Sequence, residues 1–347
     1  MTAPAIGRTL QHVRWRGRTQ GFLCGLVFVF VAGASAEAAG NRSWLATIQP
    51  SATLQAELDR SVERLVSENP GLAEKSLRIS VIDLDAEGAP RIAHRHGDTP
   101  VYPASVVKFV YLMAAYAWVD RGQLVIDPEL DRQLHEMIYA SSNKATQQVV
   151  WRLTGTRPGP ELPPAPYAEF RERRLSIKRW LQTIGIDDLH CLHPTYDGDG
   201  DLHGRDRQLL RDPGIEGALP SRSGEFRNRQ AMTANETARL LALLATDRAL
   251  SPEGSAEVRR RMLRDPKKQT YLKDRIAGGA RRCAESMTIE SKTGTFGRII
   301  ADAGIVRDRH GRELVLVVFI DSSPRYRGSF IADLSHDMTE AVLGCTE

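Results

Sequence analysis

One short run constrains this chain more than any other. Phe109-Val110-Tyr111-Leu112-Met113-Ala114-Ala115-Tyr116-Ala117-Trp118 carries no charge and has no polar side. A stretch apolar all round its circumference reads as a helix buried within the protein, so other elements must cover it. Immediately before it stands Tyr102-Pro103-Ala104-Ser105-Val106-Val107-Lys108. Ser105 and Lys108 are three apart, which puts them on one face of a helix. A serine hydroxyl is a weak nucleophile and needs a base beside it. An amine can be that base only if it is partly neutral, through desolvation or neighbouring cations. The apolar helix supplies the dry setting. Ser105 at its start also gains from the free N–H groups and the positive end of the dipole.

With 347 residues the chain can bury a large core, as one big domain or two lobes. Its net charge of +4 comes from scattered basic residues, with no aromatic-basic platform, so nucleic acid is not an expected partner. Arg8, Arg14, Arg16 and Arg18 precede an apolar run at 22–33 that is short for a bilayer span, and Ala34-Ser35-Ala36 offers a small-residue cleavage site. Residues 1–36 are therefore read as a signal peptide and 37–50 as a linker, giving a periplasmic or secreted product with no stable membrane insertion. An uncleaved signal acting as an anchor is the alternative. Cys24 lies in no lipoprotein box, and Arg14-Trp15-Arg16 is not a twin-arginine pair. After cleavage Cys191, Cys283 and Cys345 remain. One bridge is possible, for which Cys283 with Cys345 is the suggestion; buried free thiols are an equally good reading.

Along the chain, 55–65 is an amphipathic helix with Leu54, Leu58, Val62 and Leu65 at helical spacing, ended by Asn69-Pro70-Gly71. Residues 77–83 alternate like a strand, Glu87-Gly88 turns, and 91–94 returns as a second strand. Arg121-Gly122 stops the Ser105 helix, and Asp127-Pro128 opens the next, with Leu130, Leu134, Met137 and Ile138 periodic. Ser141-Ser142-Asn143 leads into a helix at 145–153; alone, it reads as an N-cap. Prolines 158, 160, 163, 164 and 166 mark a loop or linker, 175–184 is helical, and 191–229 is polar and loop-like. Thr233 with Glu236 forms a capping box before a helix carrying Leu240, Leu241, Leu243 and Leu244. A helix at 258–263, a strand at 287–289 ending in Lys292-Thr293-Gly294, strands at 301–307 and 314–321, and a helix at 331–343 follow. Lys292-Thr293-Gly294 is no phosphate loop, because Ser291 precedes the lysine and no glycine stands at the required upstream offset.

Ser-x-x-Lys at Ser105 and Lys108, Ser-x-Asn at Ser141 and Asn143, and Lys-Thr-Gly at 292–294, in that order, resemble the penicillin-recognising serine hydrolases, and among them the class A β-lactamases. The resemblance covers roughly residues 50–345. It implies an α+β fold of the β-lactamase and transpeptidase type: an antiparallel sheet flanked by helices, with a mainly helical lobe, about 103–285, inserted between the sheet halves of a domain at 51–347. It also assigns roles. Ser105 is the nucleophile, Lys108 its base, and Ser141 the proton carrier to the leaving group. Asn143 binds the substrate's side-chain amide. Lys292 and Thr293 hold a substrate carboxylate, and Gly294 lets the Thr295 N–H join that of Ser105 in an oxyanion hole. Arg298 could assist Lys292, though a surface arginine is an equal reading. Ser141 and Lys144 form a second Ser-x-x-Lys, but choosing it would leave no Ser-x-Asn downstream and Ser105 idle.

The chain departs from the family in two places. The interval from Ser105 to Ser141 is shorter than in typical class A enzymes, as if a wall of the site were missing. The Glu-x-x-x-Asn pattern that serves deacylation in class A enzymes is absent; Asp197, Asp199, Asp201, Glu216 and Glu225 are candidates by chemistry alone. Asp197-Gly198-Asp199-Gly200-Asp201 resembles a calcium loop, but Leu202 and Gln208 occupy the positions that need glycine and glutamate. His190, Cys191, His193 and His203 fit no standard zinc spacing. No metal or other cofactor is expected. The resemblance implies a monomeric serine hydrolase acting on a small β-lactam. A D-alanyl-D-alanine carboxypeptidase or endopeptidase acting on peptidoglycan is the alternative, and a non-hydrolytic binding homologue is a third reading.

Overall fold

A computed structural model describes residues 39–195, 204–215, 219–221 and 224–345. The expected signal peptide and the possible calcium loop lie outside them. An open sheet of six strands runs in the order β1-β3-β2-β6-β5-β4. The strands are β1 (Gln49–Pro50), β2 (Leu77–Asp83), β3 (Arg91–Arg95), β4 (Thr288–Phe296), β5 (Ile299–Arg307) and β6 (Glu313–Asp321). The antiparallel expectation needs one correction. The two-residue β1, which the sequence pattern is too short to reveal, pairs parallel with β3 and makes the sheet mixed. Every other pairing is antiparallel, with Val81 opposite Leu316 at the join of β2 to β6.

Both faces of this sheet are covered. Val315, Val317 and Phe319 of β6 enter one core, and Leu314, Leu316, Val318 and Ile320 enter the other. A strand buried on two sides reads as a continuous apolar run, as β6 does. The second core is closed by α1 (Ala52–Glu68), whose Leu54, Leu58, Val62 and Leu65 face inward below the Ser51 N-cap. The first is filled by α2 (Lys108–Asp120), in which every residue from Lys108 to Ala117 is buried. Chain order then gives α3 (Pro128–Ile138), capped by Asp127, and α4 (Asn143–Thr154), capped by Ser142 and ended at Gly155 with φ 60°.

The proline-rich stretch is not all loop. Pro164–Arg174 forms α5 with proline in its first turn, where a missing N–H removes no helical bond. α6 (Ser176–Thr183) and α7 (Gly204–Arg211) follow, then α8 (Ala234–Ala245) and α9 (Pro252–Met262). Thr233 caps α8 by accepting from the Glu236 N–H, but the Glu236 carboxylate turns to Arg239, so only half of the expected capping box is present. α10 (Ile276–Cys283) contains Gly278 and Gly279, a pair that disfavours helix in isolation. Packing explains the second of them: a Cβ on Gly279 would lie 2.0 Å from the Ala332 carbonyl oxygen of α11 (Phe330–Leu343). Cys283 and Cys345 form a disulfide, while Cys191 is a buried free thiol. Among the described residues no helix is long and apolar enough to cross a membrane.

Candidate active site

The chain enters α2 through a strained corner. Ala104 has φ 49°, outside the regions that non-glycine residues favour, and opens a short 3-10 turn, Ala104–Val107. Ser105 sits half-buried on that turn at the wall of a cleft, and Lys108 lies fully buried one turn below. The Lys108 amine donates to the Ser141 carbonyl at 2.6 Å, to Asn143 Oδ1 at 2.8 Å and to Ser141 Oγ at 3.4 Å. Ser141 is itself strained, with φ 55°, at the step between α3 and α4. Ser142 turns away to cap α4, accepting from the Ala145 N–H at 3.1 Å. The capping and the chemical readings of Ser141-Ser142-Asn143 thus fall on different residues. Lys144, the amine of the second Ser-x-x-Lys, is exposed.

The Lys-Thr-Gly triplet approaches from the other side. The expectation that it ends a strand is corrected: β4 runs on to Phe296, because β5 pairs along its whole length, with Gly294 opposite Ala301 and Phe296 opposite Ile299. Lys292 is fully buried, and its amine donates to Ser141 Oγ at 2.9 Å and to the Thr293 carbonyl at 2.8 Å. Burial holds its proton affinity well below that of an ordinary lysine, reinforced by the positive charges of Arg264 and Lys108 and opposed by Asp302. Two amines therefore converge on one serine hydroxyl. A hydroxyl in that position can take a proton from one neighbour and pass another on. The Gly294 backbone lies close against the nucleophile turn: a Cβ there would be 2.8 Å from the Pro103 oxygen and 3.2 Å from the Ser105 nitrogen. Thr293 is buried beside Lys292, and Thr295 is exposed at the cleft.

Several groups around this centre were not legible in the sequence. Arg264, buried two residues beyond α9, donates to the Ile138 carbonyl at the end of α3 and to the Ser291 carbonyl just before Lys292, each at 2.8 Å. It staples the two motif-bearing segments together, and no pattern marks it in the sequence. Arg298 turns outward to Asp321 instead of assisting Lys292. The cleft has a volume of about 340 Å³ and an aromatic wall made by Tyr102, Phe226 and Phe296. Tyr102, three residues before Ser105, was the one available hint of it. Glu225 is ion-paired with Arg207 at the surface, while Asp197, Asp199, Asp201 and Glu216 lie outside the described residues. Among the described residues that line the cleft, none is a carboxylate.

Of the histidines around Cys191, His190 and His193 are described and His203 lies outside the described residues. The His190 and His193 rings lie 6.5 Å apart and both are buried. Asn228 donates its amide N–H groups to the Leu209 and Asp212 carbonyls, which leaves its Oδ1 to accept from His193 Nε2–H at 2.8 Å. His193 thereby ties the segment after Cys191 to that around Asn228. Burial lowers the His190 pKa to about 3 and that of His193 to about 4. Among the described residues, only Cys283, His336 and Cys345 bring ligand atoms within 4.8 Å of one another, and two of these are joined in the disulfide.

A model described as the β-lactamase enzyme family matches residues 176–342, a span that includes Lys292, Thr293 and Gly294 and begins after Ser141. The sequence match to the β-lactamase enzyme family spans just under half of the chain, and solved structures of β-lactamases and of PBP-A share its fold. Among solved structures similar to the chain is a PBP-A mutant, described as an acyl-enzyme complex with penicillin G. It is 20% identical with a TM-score of 0.56, over 84% of this chain and 97% of that one. A β-lactamase from Sphaerobacter thermophilus is 16% identical with a TM-score of 0.56, over 83% and 97%. A class A representative from Bacteroides cellulosilyticus is 15% identical with a TM-score of 0.58, over 85% and 99%. At these identities the solved structures speak for the fold. No curated protein sequence matches the chain. The geometry gathers Lys108, Ser141 and Lys292 within hydrogen-bonding distance of one another, and it places Ser105 on the cleft wall.

Proposed function

We propose that this chain is an exported serine hydrolase that opens β-lactam rings through an acyl-enzyme on Ser105. Ser105 Oγ attacks the lactam carbonyl carbon and its proton passes to Lys108. The ring C–N bond breaks as Ser141 delivers a proton to the departing nitrogen, and Ser141 is reprotonated from the buried amines. Water then attacks the ester, releasing the opened acid and restoring the Ser105 hydroxyl. The observation that carries the reading is the Ser141 hydroxyl at 2.9 Å and 3.4 Å from two buried amines, beside a cleft that Ser105 lines. Ser105 N–H and Thr295 N–H supply the oxyanion hole, where losing one donor raises the barrier by about 3 kcal/mol. Residues 1–36 direct export, and the catalytic unit is a monomer that takes in β1 and the core residues Leu45 and Ile48 ahead of residue 51, with the helical segment 103–285 inserted between the sheet halves.

A second reading is favoured by the absence of a carboxylate among the described cleft-lining residues. A cleft without a carboxylate base would leave the ester on Ser105 long-lived towards penicillins, and the natural substrate on this reading is a D-alanyl-D-alanine peptide. Nitrocefin and a fluorescent penicillin separate the two. Turnover of nitrocefin supports the β-lactamase, and a stable label without turnover supports the peptidase. Ser105→Ala abolishes labelling, whereas Ser141→Ala slows it. Labelling that survives Ser105→Ala would overturn the mechanism.

A further inference from the structure

The cleft has a charge character of its own. Arg229 is the only permanently charged residue among the described groups that line it. Its guanidinium lies over the Tyr102 ring, 4.1 Å from the centroid, and hydrogen-bonds the Tyr102 side chain. Tyr102 packs in turn on Phe296, with ring centroids 5.7 Å apart. The backbone beneath is fixed as well, since the Arg229 N–H donates to the Leu219 carbonyl at 2.9 Å. No ion pair joins Arg229 to a carboxylate among the described residues. A half-buried guanidinium, oriented by an aromatic face and with no carboxylate on it among the described residues, is set up to take a carboxylate on two parallel N–H donors.

The direction of the cleft says which part of a substrate would bring that carboxylate. Ser105, Asn143 and Thr295 are part of its wall, while Ser141 and Lys292 are not. Proton delivery to the leaving group belongs to Ser141, so this cavity lies on the other side, where the acyl group retained by Ser105 extends. We propose that the cleft is an acyl-group subsite, selecting a substrate whose retained acyl chain ends in a carboxylate held by Arg229, with the chain's apolar stem against Tyr102, Phe226 and Phe296. The assignment rests on the acyl-enzyme reading above.

Two penicillins of equal side-chain length test it: one with an adipyl side chain and one with a hexanoyl side chain, which differ only in a terminal carboxylate. Second-order acylation rate constants would be measured on the exported protein, wild type and Arg229→Gln. The wild type should prefer the adipyl compound by about tenfold to a hundredfold, the range of one charge-assisted hydrogen-bond set left unmade. Arg229→Gln should lose the preference and Arg229→Lys should keep part of it. Equal rates in the wild type, or a preference that survives Arg229→Gln, would overturn the subsite while leaving the acyl-enzyme reading intact. Acylation by neither compound would overturn both. The wild-type ratio decides the matter even if the glutamine variant does not fold.

Discussion

Gly294→Ala is a small change with a calculable effect. Gly294 lies in β4 without a positive φ, so alanine meets no conformational barrier there. On backbone entropy alone the substitution would stabilise the protein by about 0.4–1 kcal/mol. Space decides otherwise. The new methyl would stand 2.8 Å from the Pro103 oxygen, about 0.6 Å inside the 3.4 Å at which ordinary contact begins. It would also stand 3.1 Å from Val106 Cγ2 and 3.2 Å from the Ser105 nitrogen. The nearest atom is backbone on a corner already committed to φ 49° at Ala104, and β4 is laddered to β5 along its length. Neither side can swing away as a flexible side chain would. The relief must come from separating the Thr295 and Ser105 backbones, the two proposed oxyanion donors. A misplacement of that order, short of losing a donor outright, should slow acylation about tenfold to a hundredfold, and the overpacking should cost about 1–3 kcal/mol of stability. Stopped-flow labelling with a fluorescent penicillin and a thermal melt would read both. An alanine variant more stable than wild type, acylating within about twofold of it, would refute the claim that this contact sets the spacing.

Three further outcomes follow from the buried groups. Asp206→Ala strands the Arg174 guanidinium, which is fully buried and ion-paired with that carboxylate, and should destabilise the fold by about 3–5 kcal/mol; a double variant with Arg174→Met should recover much of it in urea melts. Cys345→Ser opens a bridge that spans 62 residues, and chain-entropy reasoning puts the loss at about 4 kcal/mol, measured as a fall in the denaturation midpoint under non-reducing conditions. Because burial holds His190 near a pKa of about 3 and His193 near about 4, the unfolded chain gains protons that the folded one refuses as pH falls below 6.5, and stability drops in that direction. The slope should approach about 1.4 kcal/mol per pH unit for each histidine. A His190→Leu variant with an unchanged slope between pH 6.5 and pH 5 would contradict this.

Local periodicity made some of the chain readable and distance hid the rest. α2 and β6 declared themselves, since burial on all sides or on both faces leaves no polar residue in the pattern. β1 has too few residues to show a period, and Pro164 looked like a breaker until it proved to sit where a helix tolerates it. At the site, the order of Ser105, Lys108, Ser141, Asn143 and Lys292 was legible because each belongs to a short motif. The setting of Lys292 was not. Its burial, and the cation of Arg264 beside it, depend on segments far apart in the chain. Nor did the motif disclose that this amine donates to Ser141. Arg229 and Phe296 escaped notice for the same reason: each acquires its meaning only by meeting Tyr102.

The pairing of β2 with β6 has a consequence for how the protein reaches its native state. These partners are neighbours across the middle of the sheet, yet all the helices from α2 to α10 are strung between them. A pairing so remote in sequence is slow to nucleate, because the chain entropy of closing that circuit must be surrendered before the ladder rewards it. Until β6 arrives, the β2–β3 hairpin presents an open edge to solvent and to other copies of itself. Aggregation during refolding should therefore begin at that hairpin, and a short peptide copying β6 would be a selective trap for the unfinished form.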